Sequence, residues 1–203
     1  MYYKDFPQIE PQAIKRVTDS TSEPVSLSEA KQHLRVDHND DNGYISTLIT
    51  ASRQSLEVST RRSLGSSQVY QVSYKHFPTV YNRLVIPKPP VVSVTSLQYY
   101  DVNNQLVTVG SEHYHVENQS EGVAYLSLDD GFSRPTVSKE RVAPVVVNYN
   151  AGYSDLPKPL HQAILLLVAH YYDTREPVSM GVAPFKIQRS VDFIVDQYKI
   201  KKF

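Results

Sequence analysis

VSLSEAKQHLRVDHNDDNGYI, residues Val25–Ile45, and NYNAGYSDLPKPLHQAILLLVAHYYDTREPV, residues Asn148–Val178, decide the fold. Both read as helix with its punctuation, and the sequence between them reads almost wholly as strand. In the first block, Ser26 and Glu29 have the S-x-x-E spacing of a capping box, in which each side chain takes up an orphan N–H at a helix start. Leu27, Ala30 and Leu34 then share a face, so a short helix is expected over 27–35. Asp37–Gly43 is an acidic loop placed to cap a second helix over 41–61, where Ile45, Leu48, Ile49, Ser52 and Leu56 recur at helical spacing. Arg61 and Arg62 stand where cations favour a helix C-terminus, and Gly65 is expected to close it. In the second block Pro157 and Pro159 precede a stretch, Leu160–Tyr172, that is apolar nearly all round. Proline is tolerated in a first turn, so a central helix is expected over 159–175.

From Ser67 to Asn150 the period changes from helical to alternating, as in Val69-Tyr70-Gln71-Val72-Ser73-Tyr74. Arg83–Ile86 runs into Pro87-Lys88-Pro89-Pro90, a stiff breaker, and Asp101–Asn104 separates two strand-like runs as a hairpin turn would. Further runs at Glu112–Glu117, Val123–Leu128 and Pro144–Asn150 bring the count to about seven short strands, the spacing of a small sandwich or barrel. The expected class is α+β: a small helical bundle with an inserted antiparallel, sandwich- or barrel-like module and extended terminal arms. The expected organisation is an N-terminal arm over 1–24, in which only Ala13–Thr18 could form a strand. A helical core follows over 25–66 and 151–178, with a β module over 67–150 and a C-terminal arm over 179–203. Leu34, Ile45, Leu48, Ile49, Leu56, Ile164, Leu165, Leu167 and Val168 are expected inside one helical core.

Composition removes several functions. Lys+Arg and Asp+Glu are equal at 21 each, so no global basic field recruits nucleic acid. Cysteine is absent, which excludes disulfides and thiolate chemistry. Met1–Pro11 is too polar for a secretory signal, and the apolar run Ile164–Ala169 is far short of a membrane span, so no membrane partner is expected. The 7 glycines are too scattered for a phosphate-cradling loop, and G-x-S-x-G and H-E-x-x-H are both missing.

Three constellations remain. Asp37, Asn39 and Asp41 imitate the start of a calcium loop, but Asn42 stands where the loop needs glycine and Leu48 where it needs glutamate. His113 and His115 alternate along an expected strand and would point to one face, as a metal pair does; metal sites need three or four ligands, so a structural role is the reading preferred. His161 and His170 lie nine residues apart on one expected helix, about 13 Å by helix rise, and cannot share a metal. No cofactor and no catalytic set is expected. The segment Phe185–Phe203 carries Lys186, Arg189, Lys199, Lys201 and Lys202 against Asp192 and Asp196, with only a weak helical pattern at Val191, Ile194 and Val195.

Val25–His38 with the acidic Asn39–Asp41, and then Ala151-Gly152-Tyr153, Leu156-Pro157 and Leu160–Glu176, together resemble the head–tail connector (adaptor, or head-completion) proteins of long-tailed bacteriophages and gene-transfer particles. The β insert is similar to the longer branch of that family, and Tyr198–Phe203 resembles its basic-aromatic ending. The resemblance implies a structural subunit of the virion, assembled in the host cytoplasm, that forms a ring under the portal protein, usually twelvefold. That ring would extend the DNA channel without reading sequence and give a platform for the stopper or tail. Partner contacts are expected at Phe185, Ile187, Arg189, Tyr198, Lys199, Lys201, Lys202 and Phe203, on the portal or a neighbouring subunit. Two other readings stay open. One is a carbohydrate- or receptor-binding module of a tail fibre or baseplate, which demands an exposed aromatic patch at Tyr70–Tyr74 or Tyr99–Tyr100. The other is a metal hydrolase built on His113 and His115.

Overall fold

The computed structural model describes residues 11–79, 82–118, 122–174 and 185–200. The chain divides into a β unit (residues up to Asp19, Ser67–Gly152 and from Ile200) and a helical unit (Ser20–Ser66 and Tyr153–Lys199).

The β unit contains β1 (Ala13–Thr18), β2 (Gln68–Tyr74), β3 (Arg83–Ile86), β4 (Val91–Tyr100), β5 (Leu106–Val109), β6 (Tyr114–Asn118), β7 (Ala124–Leu128) and β8 (Val145–Ala151). A five-stranded sheet has the order β1-β2-β8-β4-β5 and a three-stranded sheet the order β3-β7-β6, with antiparallel pairing throughout. Of the expected sandwich- or barrel-like module, the antiparallel sheets form, and among the described residues neither closes into a barrel. The lead-in strand Ala13–Thr18 forms as expected and becomes the edge of the larger sheet, beside β2. The hairpin turn after β4 is set by Asp101, whose carboxylate accepts from the N–H groups of Asn103 (2.9 Å) and Gln105 (2.8 Å).

Alternation puts one face of each strand inside. On β2, Tyr70, Val72 and Tyr74 are buried, and across the register Tyr70 meets Tyr149 and Val72 meets Val147 of β8. The Tyr70 and Tyr149 rings stack at 5.6 Å. Leu97 of β4 flanks Val147 on its other side, and Leu84, Ile86 and Leu126 of the smaller sheet complete the same apolar cluster. Tyr74 and Tyr149 bring hydroxyls into this core and bond them to backbone carbonyls. Tyr74 donates to the Val85 carbonyl and Tyr149 to the Pro87 carbonyl, each at 2.6 Å. Burial pushes both phenols well above their ordinary range, so both stay protonated and keep donating. Gly152, with φ 132°, ends β8 in a conformation that side chains resist, and its N–H donates to the Pro90 carbonyl.

The helical unit contains α1 (Leu27–Leu34), α2 (Asn42–Thr60), α3 (Lys158–Asp173) and α4 (Phe185–Tyr198). The capping box forms: Glu29 N–H donates to Ser26 Oγ (3.2 Å) and Ser26 N–H to Glu29 Oε2 (2.8 Å). The Ser26 hydroxyl, which also donates to Glu29 Oε2 at 2.6 Å, holds the Glu29 carboxyl below its usual value, the Ser26 N–H comes next, and His161 on α3, 3.4 Å from Glu29 Oε1, adds to the effect. The core is built from Ala30, Ile45, Ile49, Leu56, Leu160, Ile164 and Val168, joined by Val191 and Val195 of α4. Of the expected core, Leu34 and Leu167 are only partly buried, because each sits at the margin of its helix face.

Two details of α2 differ from expectation. Asp41 is at the N-cap without a side-chain cap bond; its carboxylate accepts from the Tyr172 hydroxyl of α3. The helix ends at Arg61, which itself takes the left-handed conformation (φ 59°), so Gly65 is not its terminator. Gly65 and Leu64 instead donate their N–H groups to Glu57 Oε1, at 3.3 and 3.0 Å.

Glu57 belongs to a buried network that periodicity alone does not reveal. Arg53, with a side chain only 1% exposed, donates from Nη1 to Glu57 Oε1 (3.1 Å), from Nε to Glu23 Oε2 (2.7 Å) and from Nη2 to Glu23 Oε1 (3.1 Å). Thr50 adds a hydroxyl to Glu23 Oε1 at 2.9 Å. One guanidinium thus ties the segment before α1 and the turn after α2 to the middle of α2.

Arg53→Leu strands the Glu57 carboxylate in the interior and should lower stability by about 3–5 kcal/mol in urea unfolding. Ser26→Ala should cost about 1 kcal/mol near neutral pH. Glu29 titrates lower folded than unfolded, so the capping box contributes above the ordinary carboxylate value of 4.5 and is lost as pH falls below it. Unfolding measured across that range should show the gap between Ser26→Ala and its parent closing on the acid side.

Candidate partner-binding surface

The residues expected to meet a partner fall around α4. Lys201, Lys202 and Phe203 lie outside the described residues, and Phe185, Ile187 and Arg189 have described backbone only. The expected extended arm is corrected over Phe185–Tyr198, which is helical. The physical reason is the apolar stripe Val191, Ile194, Val195, Tyr198: one side of a helix at 3.6-residue spacing, packed on the core and outweighing the modest helix propensity of its β-branched residues.

The end of α4 is held by Arg62. Its Nε donates to the Tyr198 carbonyl at 2.6 Å and its Nη1 to the Tyr153 hydroxyl at 3.3 Å. A guanidinium on a helix's last carbonyl satisfies an orphan acceptor and opposes the negative end of the helix dipole. Burial raises the Tyr153 phenol, partly offset by Arg62, so the ring stays neutral. Tyr198 is therefore an anchor on the helical core, and Lys199 is the first cation beyond it that faces outward.

Beside this end α2, α3 and α4 enclose a groove of about 660 Å³. Leu56, Leu167, Val191 and Val195 give it an apolar floor, Ser55, Ser59 and Tyr171 hydroxyls, and Asp192, Asp196 and Lys199 charge. Val58 on α2 and Phe193 on α4 are exposed at 74% and 67%.

The outward face of the five-stranded sheet has another character. Gln71 donates to Asn148 (3.1 Å), Asn148 to Ser96 (3.0 Å) and Gln98 (3.2 Å), and Gln98 to Thr108 (3.2 Å), a hydrogen-bonded ladder across β2, β8, β4 and β5. Among the described residues, the tyrosines expected to form an aromatic platform are placed otherwise. Tyr70 and Tyr74 are in the core, Tyr99 packs edge-on to Phe77, and Arg141 covers Tyr100 at 3.5 Å. The aromatic patch that a carbohydrate-binding reading demands is thus not formed by these four tyrosines.

The metal pair does not form either. His113 closes a 3-10 turn, Ser111–His113, with its ring against Phe132, whereas His115 is on β6 between Glu117 (3.2 Å) and Asp129 (3.5 Å). Because the turn intervenes, the two do not share a strand. Glu117 is held below its usual value by the Ser127 hydroxyl first, with Arg83 and His115 assisting. Among the described residues no group of His, Asp and Glu could hold a metal ion. In the loop that imitates a calcium site, the oxygens of Asn39 and Asn42 accept from the Lys31 ammonium, at 2.8 and 3.1 Å.

Residues 24–122 match the family of phage gp6-like head–tail connector proteins. No curated protein matches the chain. Among solved structures, a chain from the neck of an empty gene transfer agent particle, computed with C6 symmetry, aligns with a TM-score of 0.73 at 19% identity, over 95% of this chain and 98% of that one. A chain from the virion of the native gene transfer agent particle aligns with 0.73 at 20% identity, over 94% and 97%. Another, from the native neck computed with C12 symmetry, aligns with 0.70 at 19%, over 95% and 98%. At these identities the likeness establishes the fold, along nearly the whole of each chain.

Arg62→Gln should release the end of α4. Hydrogen exchange should quicken over residues 195–199, by an amount worth about 1.5–3 kcal/mol for the lost charged bond, while α2 and α3 keep their protection.

Proposed function

Because residues 24–122 match the phage gp6-like head–tail connector family, we propose that this chain is the ring-forming subunit that docks beneath the portal. Its role is structural, at the head–tail junction of a tailed phage or gene transfer particle. The observation that carries this reading is the whole-chain likeness to neck proteins, 94–95% of this chain, combined with the family match.

In this reading copies associate head to tail, a geometry that closes into a ring when the rotation divides a full turn. Twelve copies is the expected number, supported by the similar chain in a neck computed with C12 symmetry. The ring carries DNA through its channel without sequence readout and offers its far side to a stopper or tail component. The two-sheet β module forms the rim, in keeping with its outward ladder of uncharged amides and hydroxyls. Lys199, Lys201, Lys202 and Phe203 make the partner contact, with Tyr198 as their fixed base. Phe185, Ile187 and Arg189 are proposed to contribute from the start of α4.

Val191 and Val195 are part of the helical core, so removing all of α4 would test folding rather than docking. The informative deletion is Lys201–Phe203. The shortened chain should keep its circular dichroism and unfolding midpoint yet fail to add to DNA-filled, portal-bearing heads, as scored by sedimentation of heads with bound protein. Normal addition would make the tail a bystander.

A further inference from the structure

We propose that the groove between α2, α3 and α4 receives the segment Lys201–Phe203 of a neighbouring copy of this chain; this rests on the ring reading above and names the contact that joins one subunit to the next. The first support is charge. Asp192 and Asp196 lie one turn apart on α4 and line the groove, and neither has an ion-pair partner among the described residues. Like charges at i,i+4 repel, and Asp196, in the last turn, also faces the negative end of the helix dipole. Both penalties fall when a cation arrives from outside. Lys201 and Lys202 are adjacent cations, and Phe203 next to them is an aromatic ring suited to the floor of Leu56, Leu167 and Val195.

The second support is where the chain goes. Lys199 is at the groove, but Ile200 is buried at 6% exposure and is not part of the groove lining. To enter the groove of its own chain, the segment after Ile200 would have to turn back past this buried residue. A second copy, not the same chain, is the economical source of an occupant. Such a contact uses two different surfaces, tail on one copy and groove on the next, which is what a head-to-tail ring requires.

The absence of cysteine makes the test direct. Ser59→Cys on the groove wall and Phe203→Cys are made in separate chains, mixed in equal amounts, added to portal-bearing heads and oxidised. The expected product is a disulfide-linked dimer, also formed when Lys202→Cys replaces Phe203→Cys. Reversing the tail (Lys201→Glu with Phe203→Cys) should reduce the dimer at least tenfold, and Asp192→Lys in the Ser59→Cys chain should restore it. Copies that add to heads without cross-linking overturn the groove contact and leave the connector reading standing. Closure within a single chain carrying both cysteines, with no dimer from the mixture, overturns it in favour of the chain's own tail. If the unsubstituted parent does not add to heads, the connector reading falls and takes this inference with it.

Discussion

The pairing of β2 with β8 is the constraint on which the rest depends. Gln68 lies opposite Ala151 and Tyr74 opposite Val145, so strands separated by about seventy residues of chain run side by side along their whole length. The chain thus enters the segment Ser67–Gly152 at one end of a strand pair and leaves it at the same end. Without that registry the segments on either side, α2 and α3, could not belong to one helical core. The interaction is non-local and costs loop-closure entropy, which the buried Tyr70–Tyr149 stack, Val72–Val147 and their neighbours must offset.

Within the helical unit, polar groups fix what apolar packing leaves loose. Arg53 binds Glu23 and Glu57, and Glu57 in turn takes the N–H groups of Leu64 and Gly65, so the segments flanking α1 and α2 have defined positions. Arg62 does the same for the end of α4 through the Tyr198 carbonyl. A buried carboxylate or carbonyl that accepts several bonds is costly to misplace, so such networks select one arrangement among many that would bury similar apolar area. The consequence for function is a rigid base: α4 presents Asp192, Asp196 and Lys199 from a packed helix rather than a loose arm.

The two units carry different surface chemistry. On the larger sheet's outward face, amides and hydroxyls from Gln71 to Thr108 are hydrogen-bonded to one another. The helical unit places the carboxylates of Asp192 and Asp196 beside an apolar floor and exposes Val58 and Phe193.

Much of this was legible in the residues themselves. The capping box at Ser26 and Glu29, the apolar stripe of α3, the alternation of β2 and the turn at Asp101–Asn104 are local patterns, and local geometry is set by neighbours in sequence. The connector resemblance rested on the same helical blocks. Other features needed the tertiary structure. The Arg61 terminator, the turn that separates His113 from His115, and the burial of Tyr70 and Tyr74 depend on what each segment packs against. So does α4, whose stripe at Val191, Ile194 and Val195 was visible but whose β-branched residues lowered its apparent propensity. Sequence determines periodicity and caps because these are properties of a few adjacent residues. Which stripe becomes a helix, which charge is buried and which groove stays open are decided only when distant segments meet, because burial is a property of the assembled core.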